Sequence, residues 1–233
     1  MAVHSHTVDH PTAQRTTVSS VRIAGIAGLA SVAAMVASFA VLPADQGGTD
    51  AAAIAARYAD GSTGYLAAAL FETLSTALLC LLVAGLGTAL WARRPGSMLP
   101  VAATIGGTVL ATCQLLGYAL IASLAHGTAA AGDLPVVMGL YDLSSSFFVV
   151  ANAGLAVLAG ASGAALLTGT PRSRTLGVSS LVLAAAGVAS ASANAPEGFA
   201  SLHGDLGFIV LLLQLVWTAA VSVWLLRSSA ADA

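Results

Sequence analysis

Glu72 and Asp142 are carboxylates set inside long apolar runs, ETLSTALLCLLV and LYDLSSSFFVVANAG. Holding an acid within a lipid-spanning helix costs about 2.5–3.5 kcal/mol on insertion scales. Each is therefore expected to face protein or water and to meet a hydrogen-bond donor there. Other polar residues recur at helical spacing in comparable runs. Gln114 and Tyr118 are four apart, Glu72 and Thr76 likewise, and Gln214, Thr218 and Ser222 form a line at i, i+4 and i+8. Asp142, Ser145 and Asn152 fall on one stripe of their helix. Glu72, Gln114, Tyr118, Asp142, Asn152 and Gln214 thus have the residue types of a ligand- or proton-binding site. The same types also serve as plain interhelical glue, at about 0.6 kcal/mol per hydrogen bond. No residue is assigned a catalytic role.

A second set stands near the ends of apolar runs. His126 closes one, and His203-Gly204-Asp205 opens another. With His126, His203 and Asp205 drawn together they would offer nitrogen and oxygen ligands of the kind zinc takes. Several chemistries are excluded on residue grounds. The chain has no Lys, so no Schiff base can form, and no apolar run carries a His near its centre for paired haem ligation. There is no phosphate-binding Walker loop, no dinucleotide glycine fingerprint and no HExxH pair. No cofactor is expected. An enzyme is the third-ranked class, and it needs His126, His203 and an acid to converge.

The elements that position these residues follow from composition. The 233 residues are 58% hydrophobic and 8% charged. Soluble domains carry about 25% charged residues, so this chain lacks the polar surface to coat a soluble globule. Apolar stretches run over about residues 22–42, 65–91, 98–124, 136–168, 176–195 and 206–226. Each is long enough to cross a hydrocarbon core of about 30 Å. The fold class is all-α, a six-transmembrane-helix bundle. Residues 21–228 form a single membrane domain, 1–20 a disordered tail and 229–233 a short tail. A signal-peptide reading of residues 1–40 is disfavoured, because the apolar stretch exceeds a usual h-region.

Direction follows from arginine. Arg15, Arg22, Arg93, Arg94, Arg172, Arg174 and Arg227 fall on one side of a six-span chain, and only Arg57 on the other. The positive-inside rule then places both termini in the cytoplasm. The long connection 43–64 lies outside, and within it TDAAAIAARYADG reads as a short helix with Thr49 or Asp50 at its start and Gly61 at its end. It is expected to lie along the membrane surface. Glu72, Gln114, Asp142 and Gln214 are each about ten residues or fewer from the outer ends of their spans. They are expected to share one layer of the outer leaflet, with Asp142 about 10 Å down. Cys80 and Cys113 lie in apolar runs and read as packing residues.

Four stretches carry a likeness: RIAGIAGLASVAAMVASFAVLP, MGLYDLSSSFF, GTPRSRTLGVSSLVLAAAGV and LVWTAAVSVWLLR. Over about residues 20–228 the chain resembles a family of six-span bacterial integral membrane proteins of actinobacterial type, a domain of unknown function. Where the family pattern has an LPxxLG-like turn, this chain has the more basic TPRSRTLG. The resemblance implies a multi-pass protein of a bacterial plasma membrane and supplies no activity. Two functions are weighed. One is a small transporter or ligand-binding membrane protein with an outward-facing polar pocket. The other is a non-catalytic scaffold or regulator that binds other membrane proteins. The expected partners are the lipid bilayer, with a small-molecule or ion ligand or another membrane protein. A net charge of −2 and no basic face argue against nucleic acid.

Overall fold

Among the described residues there are seven α-helices and no strand. The computed structural model describes residues 11–43, 48, 50–192 and 205–231, without the side chains of 11–19 and 229–231. The helices are α1 (Pro11–Val41), α2 (Ala51–Asp60), α3 (Ser62–Arg93), α4 (Leu99–Ser123), α5 (Leu134–Leu166), α6 (Pro171–Ala191) and α7 (Asp205–Ala231). A single π turn, Leu124–Thr128, continues α4. Six segments are long and apolar enough to cross a membrane: Ser20–Val41, Ser62–Arg93, Leu99–Thr128, Leu134–Leu166, Pro171–Ala191 and Asp205–Ser228. They match the six apolar runs to within a few residues. Helix α1 starts at Pro11, ahead of the span itself, whereas residues 1–10 of the expected tail lie outside the described residues.

Local chemistry starts and stops these helices. Asp50 caps α2 by accepting from the Ala53 backbone N at 2.8 Å, and Asp133 caps α5 by accepting from Val136 N at 3.4 Å. Thr170 caps α6, with Pro171 in its first turn, where a missing N–H costs nothing. The turn between α3 and α4 uses Gly96 at φ 80°, a left-handed conformation that a Cβ would strain.

The six long helices pack in chain order as a closed ring: α1 on α3, α3 on α4, α4 on α5, α5 on α6, α6 on α7, and α7 back on α1. Large apolar side chains such as Ile26, Leu70, Leu81, Val182 and Val216 project outward as an exposed belt. In water that belt would be ruinous. Against lipid tails it needs no cover, and the burden of holding the ring falls on close packing and hydrogen bonds. Packing is tightest between α4 and α5. A methyl group at Gly106 would stand 2.5 Å from Leu158 N, and one at Gly154 2.6 Å from Leu110 N. Side-chain hydrogen bonds tie other neighbours. Ser31 and Ser75 bond reciprocally between α1 and α3, Asn152 donates to Ser190 Oγ at 2.8 Å between α5 and α6, and Trp217 Nε1 donates to Ser180 Oγ at 2.7 Å between α6 and α7.

Helix α2 does form where the spacing predicts it, but its apolar face is spent on protein rather than on lipid. Ile54, Ala55 and Tyr58 are buried with Leu124, Ala125, Ala129 and Val137 in a second core cluster. The helix therefore roofs one end of the ring. The opposite end, which carries Arg22, Arg93, Arg94, Arg172, Arg174 and Arg227, is termed the arginine end below.

Candidate functional site

Glu72 is the one acid among the described residues that is buried, at 9% exposure. It lies on α3 two turns below Tyr65, on the face that α1 and α4 cover. Its side-chain partner is Ser38 of α1, 3.5 Å from Oε1. That contact is at the edge of a hydrogen bond. Ser38 has a single hydroxyl proton, and the backbone oxygen of Met35 competes for it at 2.7 Å. The nearest arginine along α3 is Arg93, about 31 Å away at 1.5 Å per residue. The carboxylate is thus removed from water with little in the protein to compensate it.

Further polar groups gather on the same side. Tyr118 of α4 and Tyr58 of α2 are both close enough to feel the Glu72 charge. Gln114 stands one turn deeper than Tyr118 on the same face of α4 and is 5% exposed, as is Gln214 of α7. Among the described residues no hydrogen-bond partner is seen for the Gln114 or Gln214 amides or for the Tyr118 hydroxyl. Buried amides and hydroxyls are nearly always bonded to something. Of these groups Tyr118 is the one placed near the Glu72 charge, with Gln114 following one turn deeper on α4.

The roof adds aromatic surface. The Tyr58 ring lies 4.4 Å from that of Tyr65 and 6.4 Å from that of Tyr141, centroid to centroid. Burial, and then the Tyr141 and Tyr65 neighbours, push the Tyr58 hydroxyl well above the ordinary tyrosine range. Tyr118 packs on Phe148 at 5.1 Å. All four tyrosines of the chain stand at this end.

The remaining candidates are placed differently. The close approaches of Gly87 to Thr104 and of Gly107 to Val83 set α3 against α4, while those of Gly106 to Leu158 and Gly154 to Leu110 set α4 against α5. Counted along these registers, Glu72 is level with Tyr118 and with Ser145–Ser146. Asp142 stands about one turn, roughly 5 Å, nearer the roof. Asp142 is half-buried and has a partner. The most buried stripe of α5 runs through Ser144, Ala151, Leu155, Leu158 and Ser162 rather than through Asp142, Ser145 and Asn152. Asn152 is occupied by Ser190 in the α5–α6 seam. His203 lies outside the described residues, and with it the set His126, His203 and Asp205. Among the described residues no three His, Cys, Asp or Glu side chains come together.

The residue pattern missed Ser38 and the aromatic roof. Tyr58 and Tyr65 are seven apart, a helical repeat, but Gly61 separates their helices, so spacing alone could not pair them. Comparisons with known protein families, characterised proteins and solved structures return no match. The resemblance drawn from sequence rests on its four quoted stretches alone.

Proposed function

We propose that this chain is a multi-pass protein of a bacterial plasma membrane that binds a small cation, or a proton, at Glu72 beneath the α2 roof. One observation carries the reading: a buried carboxylate compensated only by an edge-of-range serine contact, with the uncommitted Tyr118 hydroxyl near it. Such an acid favours a positive guest, because a charge removed from water is stabilised chiefly by an opposite one. Gln114, Gln214 and Tyr118 would supply neutral oxygen ligands, and the tyrosine faces suit an organic ammonium. A transporter and a ligand-gated regulator would both use such a site.

The experiment is thermal unfolding of the purified protein in nanodiscs with sodium, potassium, ammonium or tetramethylammonium chloride, or across a pH series. At least one cation, or falling pH, should raise the midpoint of the wild type and not that of Glu72→Gln. Gln keeps the size and hydrogen-bonding groups of the side chain, so a merely structural acid would tolerate it. An identical response in both proteins, or none in the wild type, overturns the reading.

A non-catalytic scaffold is the second reading, favoured by the pairs Ser31–Ser75, Asn152–Ser190 and Trp217–Ser180, whose polar groups are spent on holding helices together. On that reading Glu72→Gln is silent.

The site faces outward if both termini are cytoplasmic, as seven of the eight arginines argue. With Cys80 and Cys113 replaced by Ala, Ala52→Cys should react with an impermeant thiol reagent in intact cells and Pro95→Cys should not. The reverse pattern inverts the orientation.

A further inference from the structure

At the arginine end a cavity of about 650 Å³ opens between α6 and α7, beneath the end of α3. Its wall carries three arginines from three helices, Arg93, Arg172 and Arg227. No carboxylate lines it, and none stands at this end among the described residues. Arg93 is held in place, its guanidinium stacked 4.6 Å above the Trp224 ring and 3.5 Å from Ser228 Oγ. Arg172 sits in the first turn of α6, where the helix dipole already presents positive charge; Pro171 has no N–H there and the Thr170 cap takes that of Ser173. A cation there is electrostatically misplaced, and two more guanidinium groups compound the cost. An anion resolves all of it at once.

The depth of the cavity says what kind of anion. Below the arginines the wall is mixed: Thr175 and Ser179 flank Leu176 along α6, with the Ser179 hydroxyl spent on the Leu176 carbonyl, and α7 contributes Ala220 and Val223. The Trp217–Ser180 hydrogen bond ties the two helices about 12 Å along α6 from Arg172. Helices α6 and α7 pack more loosely than the other neighbours in the ring. A charged rim above a mainly apolar crevice, in a chain whose outer belt faces lipid, matches an amphiphile rather than a soluble anion.

We infer that this cavity binds the phosphate headgroup of an anionic phospholipid, with Arg93, Arg172, Arg227 and the α6 N-terminus around the phosphate and the glycerol and upper acyl carbons against Leu176, Ala220 and Val223. The site is independent of Glu72. General attraction of arginines to an anionic surface is the rival explanation, and the test separates the two.

Wild type, Arg172→Gln, Arg93→Gln, Arg227→Gln and Arg174→Gln are reconstituted in phosphatidylcholine nanodiscs with graded phosphatidylglycerol, and bound lipid is counted by native mass spectrometry. Arg174 is exposed at the same end, bonds the Gly169 carbonyl and does not line the cavity. Phosphatidylglycerol should be retained in saturable fashion by the wild type and by Arg174→Gln. Each lining variant should weaken retention about tenfold or more, the loss expected for a charge-assisted contact. Equal weakening by Arg174→Gln would mean surface charge alone and overturn the site. Displacement of the lipid by millimolar inorganic phosphate, or equal retention of phosphatidylcholine, overturns the anionic-lipid assignment. Thermal unfolding of each variant in phosphatidylcholine alone shows whether it is folded. A lining variant that unfolds is replaced by Arg→Lys at the same position, which keeps charge and loses the bidentate fork; unchanged retention in that variant counts against the site.

Discussion

At the α2 end a ten-residue helix lies across the ring, buries Ile54, Ala55 and Tyr58, and covers an acid with tyrosines. At the arginine end the described residues include no such roof, and exposed guanidinium groups surround an open cavity. The contrast follows from what each end must hide. A carboxylate without a counter-charge can stay in the ring only if water is excluded on the protein's terms, so a lid and neutral hydroxyls go with it. Arginine has a long apolar stem and a head that reaches the interface, so its charge needs no lid. Between the two ends the seams differ in the same sense: α4 and α5 meet backbone to backbone at Gly106 and Gly154, while α6 and α7 are tied at Trp217 and Ser180 and pack more loosely. A closed end suits selective binding of something small, an open one suits a guest already present in the bilayer.

The largest effect that tests this division is removal of the roof's anchor. Ile54 is 1% exposed, and Ile54→Ala should cost about 2–5 kcal/mol, the range for a deleted core side chain. Because α2 contacts only the end of the ring, the loss should appear as faster hydrogen exchange in α2 and the start of α3. Phosphatidylglycerol retention at the arginine end should be unchanged. If lipid retention falls as well, the two ends are one cooperative unit and the comparison breaks. The same independence applies in reverse to the substitutions at Glu72 and at Arg172, each of which should leave the other end's response intact.

How far the sequence reached is clear from where it stopped. The six spans were legible because lipid demands long apolar runs, and every run that met the length became a helix. Helix α2 was legible from Asp50, which caps it, and Gly61, which ends it. The height of Asp142 relative to Glu72 was legible only to within about a turn. Measuring down from Pro135 on one helix and Tyr65 on another assumes both start at a common height, whereas α3 begins earlier, at Ser62, and the glycine contacts fix the true registers. The stripe through Asp142 and Asn152 is periodic, yet periodicity does not say which neighbour it meets; Asn152 met α6. The arginines were legible as a topological signal only. That Arg93, Arg172 and Arg227 converge depends on α7 closing the ring beside α6, which no spacing within one helix reports.

The smallest expected effect concerns the tightness of the roof. A tyrosine whose folded-state pKa is raised is held in its neutral form by the fold. That preference contributes stability in full below the ordinary pKa near 10 and is lost as pH climbs past it towards the folded value. Tyr58 is such a group, because burial and its two tyrosine neighbours oppose its charged form. At about pH 11 an exposed tyrosine is mostly ionised, so Tyr58 should still be silent in the ultraviolet absorbance of tyrosinate while the fold persists. Tyr58→Phe should therefore leave the absorbance at that pH unchanged, and should remove one tyrosine's worth of signal only in denaturant. A variant that loses that signal in the folded protein would show water reaching Tyr58, and the α2 end would then be no more closed than the arginine end.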